Sequence, residues 1–546
     1  MLELKKYWNV YLVCGMLGAI TFLVVFGPAL LNPLNDSWLI GEKADLTQHY
    51  IGWIAYRHSA WTFPVGCMDN LAYPFETSVI FTDSIPLFAV LCKLFSPVLP
   101  DTFQYFGLYG FLCYVMQPVA GALLLKKYMK HKADIILGSV FFVLSPVLLA
   151  RMYYHTALSG HFLLLFTMLG PVYYEEIYHE TGEAIKLGAL TAFLAASVHI
   201  YLLAMCGVIW LVYCILDLLK TKKIYNSVIV MSVYLLVSAG TVWLLGGFNG
   251  VFGAGRGGLG SYGLNINAFL NSQGNSSFLK GMKLPDMDTS EGYAYLGMGI
   301  LVLAFLCCIM LIRNRKQFCE ILVSNWQKTV AVTTVLVLVY LFSILPAVYL
   351  NDKLIFKLNL PHNIEKLWSV FRATGRFSWL IYYSIFMFVI SVPFLLKKSQ
   401  KALFTVALGM ALVIQLYDMT PQLRLKKSAI SQWGEDRIKL TDSCWQDIAQ
   451  SGTVKHVYFG FSEMEYDIIY PVTEWAVKHG MTVNRFYFAR SLDKEAVGNM
   501  LGDAMWEKNP DCIFIFRMED EETCTKNGFT GVLTEDGLLL AGKAME

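Results

Sequence analysis

The sequence predicts a mostly α, polytopic bundle of about eleven membrane-spanning helices, with a large first outer loop and a small C-terminal extracytoplasmic α/β domain. Three observations lead there. Hydrophobic residues make up 56% of the 546 and charged residues only 15%, and the mean hydropathy is +0.50, far from soluble composition. The apolar residues fall in repeated runs of about 20, the length a helix needs to cross the hydrocarbon core. From Pro421 onward those runs stop and charge is spread evenly.

The first run, residues 8–31, is longer than a signal-peptide core and is followed by many others, so it reads as a retained anchor. Further spans are expected at 102–125, 134–151, 161–178, 185–199, 200–219, 224–246, 294–312, 328–350, 376–396 and 402–419, the fifth and sixth dividing near His199. PLFAVLCKLFSPVLP, Pro86 to Pro100, is too short for a span and carries Lys93 and three prolines. It reads as a half-helix or interfacial element on the outer face.

Basic residues are retained on the cytoplasmic side. With Lys5 and Lys6 inside, this threading also places Lys126 to Lys132, Lys220 to Lys223, Arg313 to Lys316 and Lys397 to Lys401 inside. It makes the chain a multi-pass protein of the cell membrane, with a cytoplasmic N-terminus and four outer connections: 32–101, 152–160, 247–293 and 351–375. The membrane part is 1–420. Residues 421–546 form the outer domain, in which HVYFGF, MTVNRFYF and DCIFIFR read as strands, and EYDIIYPVTEWAVKHG and KEAVGNMLGDAMWEK as helices.

Some functions are excluded early. The net charge is +2, with Lys and Arg in short clusters, which argues against nucleic acid. The twelve cysteines are scattered, with no CxxC or zinc spacing, and read as apolar packing residues. Gly253, Gly255 and Gly258 match GxGxxG, yet no βαβ context surrounds them, and a flexible outer loop is the better reading.

Ionisable residues near membrane depth are functional candidates because their desolvation must be offset. ADLTQHYIGW supplies Asp45, with Gln48 and His49, and Arg57 beyond, as substrate-lining candidates, and FTDSIPL supplies Asp83. A carboxylate there takes a proton from an acceptor hydroxyl or holds a divalent cation. The plainer role for Asp83 is to cap a helix beginning near Ser84, and for His49 simple packing. In RMYYHTALSGHF, His155 and His161 are six apart, the wrong spacing for two ligands on one helix face. They suit hydrogen bonding to a phosphate or an ordinary interfacial role, with Arg151 snorkelling from a helix end. In VFRATGRFSW, Arg372 and Arg376 share a face if the segment is helical, and would clamp a phosphate or anchor the helix end. EGYAYLGMG brings Glu291 and Tyr293 to the mouth of a span as substrate-lining residues.

This pattern resembles the GT-C superfamily of polytopic membrane glycosyltransferases over roughly residues 8–400. Asp45 in the first outer loop, Asp83 in FTDSIPL, the half-helix after it, YYHTALSGH, FRATGRF and the outer C-terminal domain carry the resemblance. It implies transfer of a sugar from a polyprenyl-phosphate carrier to a cell-envelope glycan, polymer or protein at the outer face. By motif position Asp45 would be the base or a metal-site acid with Asp83 as partner, and Arg372, Arg376, His155 and His161 would bind the donor phosphate. Asp45 is followed by Leu46 and Thr47, so the DxD of metal-dependent members is missing, and a divalent cation such as Mg or Mn stays an open expectation. The alternatives are a transporter or flippase of lipid-linked saccharides, which calls for mid-span charges and internal repeats, and a non-catalytic scaffold, which leaves the loop acids without a task.

Overall fold

The computed structural model describes residues 4–40, 45–177, 181–250, 259–285, 290–396, 401–431, 440–461, 463–490, 492–493, 511–526 and 528–542. Most of them are helical. Two compact units form: Met1–Asn32, Phe106–Ala239 and Gly257–Ser431 make the first, and Pro33–Tyr105, Gly240–Arg256 and Gln432–Glu546 the second. The glycine motif at 253, 255 and 258 and the helix expected over 494–508 lie outside the described residues.

The first unit is the apolar bundle. Its helices include Leu4–Phe26, Phe106–Leu125, Lys132–Val143, Phe162–Val172, Thr181–Val198, Ile200–Thr221, Met298–Arg313, Trp326–Ile344, Ser378–Ser391 and Lys401–Asp418. Among the described residues of the whole chain, seven helices are long and apolar enough to cross a membrane, and nine if each of two bent pairs counts as one span. The expected eleven are therefore not all of crossing length. Phe162–Val172 has 11 residues, about 16 Å of helix, and Thr181–Val198 opens on Glu183 and Lys186.

Local sequence sets the breaks. The segment expected over 134–151 is two helices, because Pro146 stands at the start of the second and Ser145 Oγ accepts from the Leu148 N–H at 3.3 Å. His199 divides its two helices in extended backbone, with Nδ1 accepting from the Tyr201 N–H at 3.1 Å. The Met298–Arg313 helix starts on a carboxylate: Asp418 accepts from the Met298 N–H and from the Tyr295 hydroxyl, each at 2.8 Å. Small residues bring helices together, for a side-chain carbon at Gly18 would lie 2.2 Å from the Tyr114 carbonyl oxygen.

The second unit joins two parts of the chain far apart in sequence. From the first loop come the helix Asp45–His58, an antiparallel hairpin of Cys67–Ala72 with Phe75–Ser78, and the short helix Pro86–Lys93. From the C-terminal part comes a five-stranded mixed sheet in the order Thr482–Val483, His456–Phe459, Cys512–Arg517, Leu538–Ala541, Val532–Leu533. The first three strands run parallel, as the intervening helix Tyr466–Lys478 requires, and the last two pairings are antiparallel. Tyr458, Phe514, Phe516, Phe529 and Leu539 form its core, and Tyr73 of the first loop packs against it. Tyr73 also stacks on His456 at 3.8 Å, and its N–H donates to the Val483 carbonyl at 2.9 Å.

Candidate functional site

In the first unit, Glu291 is the point on which three cationic side chains converge. Arg151 Nη1 lies 2.8 Å and Arg376 Nε 2.7 Å from the same oxygen, Oε2, while His155 Nε2 lies 3.1 Å from Oε1. Arg151 also donates through Nη2 to the Glu291 carbonyl at 3.1 Å. The side chains of Arg151, Glu291 and Arg376 are 5%, 7% and 12% exposed, so the group is desolvated, whereas His155 at 24% reaches its edge. Burial would raise the Glu291 carboxyl, but Arg151, Arg376 and His155 together hold it well below the ordinary carboxylate range.

Tight backbone packing fixes these groups. Glu291 sits in the 3₁₀ turn Ser290–Gly292. A side-chain carbon at Gly292 would come within 2.3 Å of the Gly263 carbonyl oxygen, and one at Gly375 within 2.7 Å of the Gly292 Cα. The Gly375 N–H donates to the Tyr262 carbonyl at 3.0 Å, which sets the turn that carries Arg376. Aromatic faces complete the walls, with Arg151 5.3 Å over Trp379 and Arg376 4.5 Å over Tyr201.

The sequence expectations fare unevenly here. Arg376, His155 and Glu291 meet in one cluster. Arg372 does not share a helical face with Arg376: a 3₁₀ turn ends at Phe371, Ala373 leaves the helical region, and Arg372 lies 5.1 Å over the Tyr262 ring instead. His161 is fully buried, with Nδ1 2.6 Å from the Tyr383 hydroxyl and its ring 4.2 Å from Trp379, behind the cluster in the same unit. Tyr293 is buried. Arg151, read from sequence as a snorkelling helix end, is instead a full member, and Tyr201 was not foreseen. Its sequence signal is its place at the very start of a span, beside His199.

In the second unit, Asp45 opens the Asp45–His58 helix and is partly exposed. The loop bearing Asp83 lies against that helix. Ser84 Oγ donates to the His49 carbonyl at 2.7 Å, and Gln48 Nε2 donates to the Phe81 carbonyl at 3.4 Å. Gly52 permits the contact, since a side-chain carbon there would be 2.3 Å from Thr82 Cβ. Asp83 and Ile85 both take left-handed backbone, φ 52° and 51°, a strained state for isoleucine that surrounding contacts must hold. The Tyr105 hydroxyl bonded to the Ser84 carbonyl supplies one such contact. The following helix starts at Pro86 with Ile85 as its cap residue, so Asp83 stands two residues ahead of the cap. Gln48 and His49 are buried in this packing. Arg57 donates to the carbonyls of Pro100 at 2.6 Å, Ser96 at 3.2 Å and Leu99, which makes it the tie for the 96–100 turn.

Among the described residues no three His, Cys, Asp or Glu side chains gather at metal-binding spacing.

Residues 15–420 match the family described as domain of unknown function DUF6311, and residues 444–541 match its C-terminal domain. The first match alone covers well over half of the chain, and the protein belongs to that family. No curated protein matches it.

Proposed function

We propose that this protein is a membrane glycosyltransferase of GT-C type, which moves a sugar from a polyprenyl-phosphate donor to an acceptor at the outer face of the membrane. The observation that carries the proposal is the convergence of Arg151, Arg376 and His155 on one buried carboxylate. Forked donors aimed at a planar oxyanion in a water-poor site are the chemistry that recognises a phosphate and stabilises it as a leaving group. In this reading Glu291 holds the arginines in place for the donor phosphate. Arg372 and His161 support the same region.

The acid role follows the resemblance in the sequence. Asp45 accepts the proton of the acceptor hydroxyl as its oxygen attacks the anomeric carbon, and Asp83 is its partner. The bond to the donor phosphate breaks as the new glycosidic bond forms, so the anomeric centre inverts.

Three further features support the reading. Tyr73 of the first loop packs against the core of the C-terminal sheet, in keeping with a threading that puts both on one side of the bilayer. Leu94, Phe95 and Val98 of the Pro86–Pro100 segment are exposed, as an interfacial element would be. Asp134 and Asp217 fall in the end turns of their helices and are satisfied there by Thr405 at 2.8 Å and Ser227 at 3.0 Å. Such acids do not form the mid-span relay of a transporter. The eleven-span threading is part of the proposal, with the shorter helices completing the bundle.

The phosphate assignment is tested by thermal unfolding of the purified protein with polyprenyl monophosphate. Wild type should be stabilised by the ligand and Arg376→Ala should not; equal stabilisation of both removes the cluster from donor recognition.

A further inference from the structure

The first unit contains an apolar cavity of about 330 Å³ at some distance in sequence from the Glu291 turn. One wall is a face of the Trp326–Ile344 helix, with Lys328, Val332, Val335 and Val339 at successive helical turns. The Ser378–Ser391 helix supplies the opposite wall, including Met387. Phe388 and Leu395 line the cavity and are exposed at its rim, 44% and 39%, so it opens sideways.

An apolar cavity that opens to hydrocarbon is filled by hydrocarbon, since water gains nothing there. The stretch from Lys328 to Val339 rises about 16 Å. The length and apolar lining suit a lipid chain lying along the helix.

Lys328 and Tyr128 line the cavity, as do Ser384 and Ser391, whose hydroxyls donate to the Leu380 and Met387 carbonyls of their own helix. Nearby acids are engaged elsewhere: Glu176 pairs with Lys127, and Glu175 with Lys220 at 3.5 Å. Lys328 itself makes no ion pair or hydrogen bond among the described residues. A lone ammonium at the end of a lipid-filled groove, level with Lys127, selects an anionic headgroup.

We infer that this groove binds an anionic glycerophospholipid from the leaflet facing the Lys126–Lys132 cluster, its phosphate at Lys328 and one acyl chain between the Trp326–Ile344 and Ser378–Ser391 helices. The inference rests on the membrane setting and not on sugar transfer. The site lies at the end of the bundle that the positive-inside count places in the cytoplasm.

The test reconstitutes the full-length protein in nanodiscs of phosphatidylcholine with 10% phosphatidylglycerol, followed by delipidation and native mass spectrometry. Wild type should retain one phosphatidylglycerol, enriched about five-fold over phosphatidylcholine, the factor that one lysine contributes. Lys328→Gln should lose the enrichment and Lys328→Arg keep it; both changes lie at an open rim and leave the packing intact. A photoactivatable acyl-chain phosphatidylglycerol should label peptides containing Val335 and Met387. Undiminished enrichment in Lys328→Gln, labelling confined to other helices, or a retained lipid that proves to be polyprenyl phosphate would each overturn the inference.

Discussion

Replacing Glu291 by Gln removes the negative charge on which Arg151, Arg376 and His155 converge, while keeping its size. With Glu291 7% exposed and the two arginines 5% and 12%, the guanidinium groups lose their carboxylate in a desolvated setting. Removing one partner of a buried ion group costs about 3–5 kcal/mol. Discounted for the opening at His155, and with about 1 °C per kcal/mol for a chain of this length, the melting temperature of the detergent-purified protein should fall by roughly 2–4 °C. Converting all three groups together, as Arg151→Met, Glu291→Leu and Arg376→Met, should recover much of that loss, because no buried charge is then left alone. Fluorescence-monitored unfolding reads both outcomes. If Glu291→Gln melts within about 1 °C of wild type, the cluster is not the desolvated anion-organising centre described above.

The same carboxylate sets a pH dependence. Its folded value is depressed by Arg151 and Arg376 against the opposing effect of burial, so its stabilisation is complete above the unfolded carboxylate value of about 4.3 and is lost as pH falls through the folded value. Melting profiles below pH 4.3 should therefore separate wild type from Glu291→Gln less and less. Arg57→Ala should destabilise by about 2–4 kcal/mol, since three carbonyls of the 96–100 turn lose a charged donor; a variant with normal melting but a raised KM would return Arg57 to a substrate role. Gly52→Ala should cost about 1–3 kcal/mol by forcing a carbon against Thr82 and Ser84, and should reduce transfer through the displaced Asp83 loop. Unchanged melting and turnover would show that this helix–loop contact is not needed.

What could be read from the sequence was local. Apolar runs, Pro146 and His199 mark helix ends within the chain itself, and the Pro86–Pro100 segment was recognisable as too short to span. The site was harder, because its partners are remote: Arg151 and Glu291 are 140 residues apart, and Arg376 is 85 from Glu291. No spacing rule brings such residues together. A rule did mislead at Arg372 and Arg376, where an i, i+4 face requires a helix that the break at Ala373 removes. Arg57 likewise looked like a ligand residue from its setting, and only the fold shows the carbonyls that take up its donors. The sharing of one core by the first loop and the C-terminal sheet was beyond reach for the same reason, since Tyr73 meets His456 only through tertiary packing.

The central claim is most directly tested by transfer itself. Membranes containing the protein are supplied with a radiolabelled polyprenyl-phosphate sugar and assayed for label in envelope glycan or protein. Wild type should transfer, and Asp45→Asn and Arg376→Ala, compared at equal amounts of membrane-inserted protein, should not. Full activity in Asp45→Asn, or label that crosses the bilayer on its lipid without being transferred, would contradict the account.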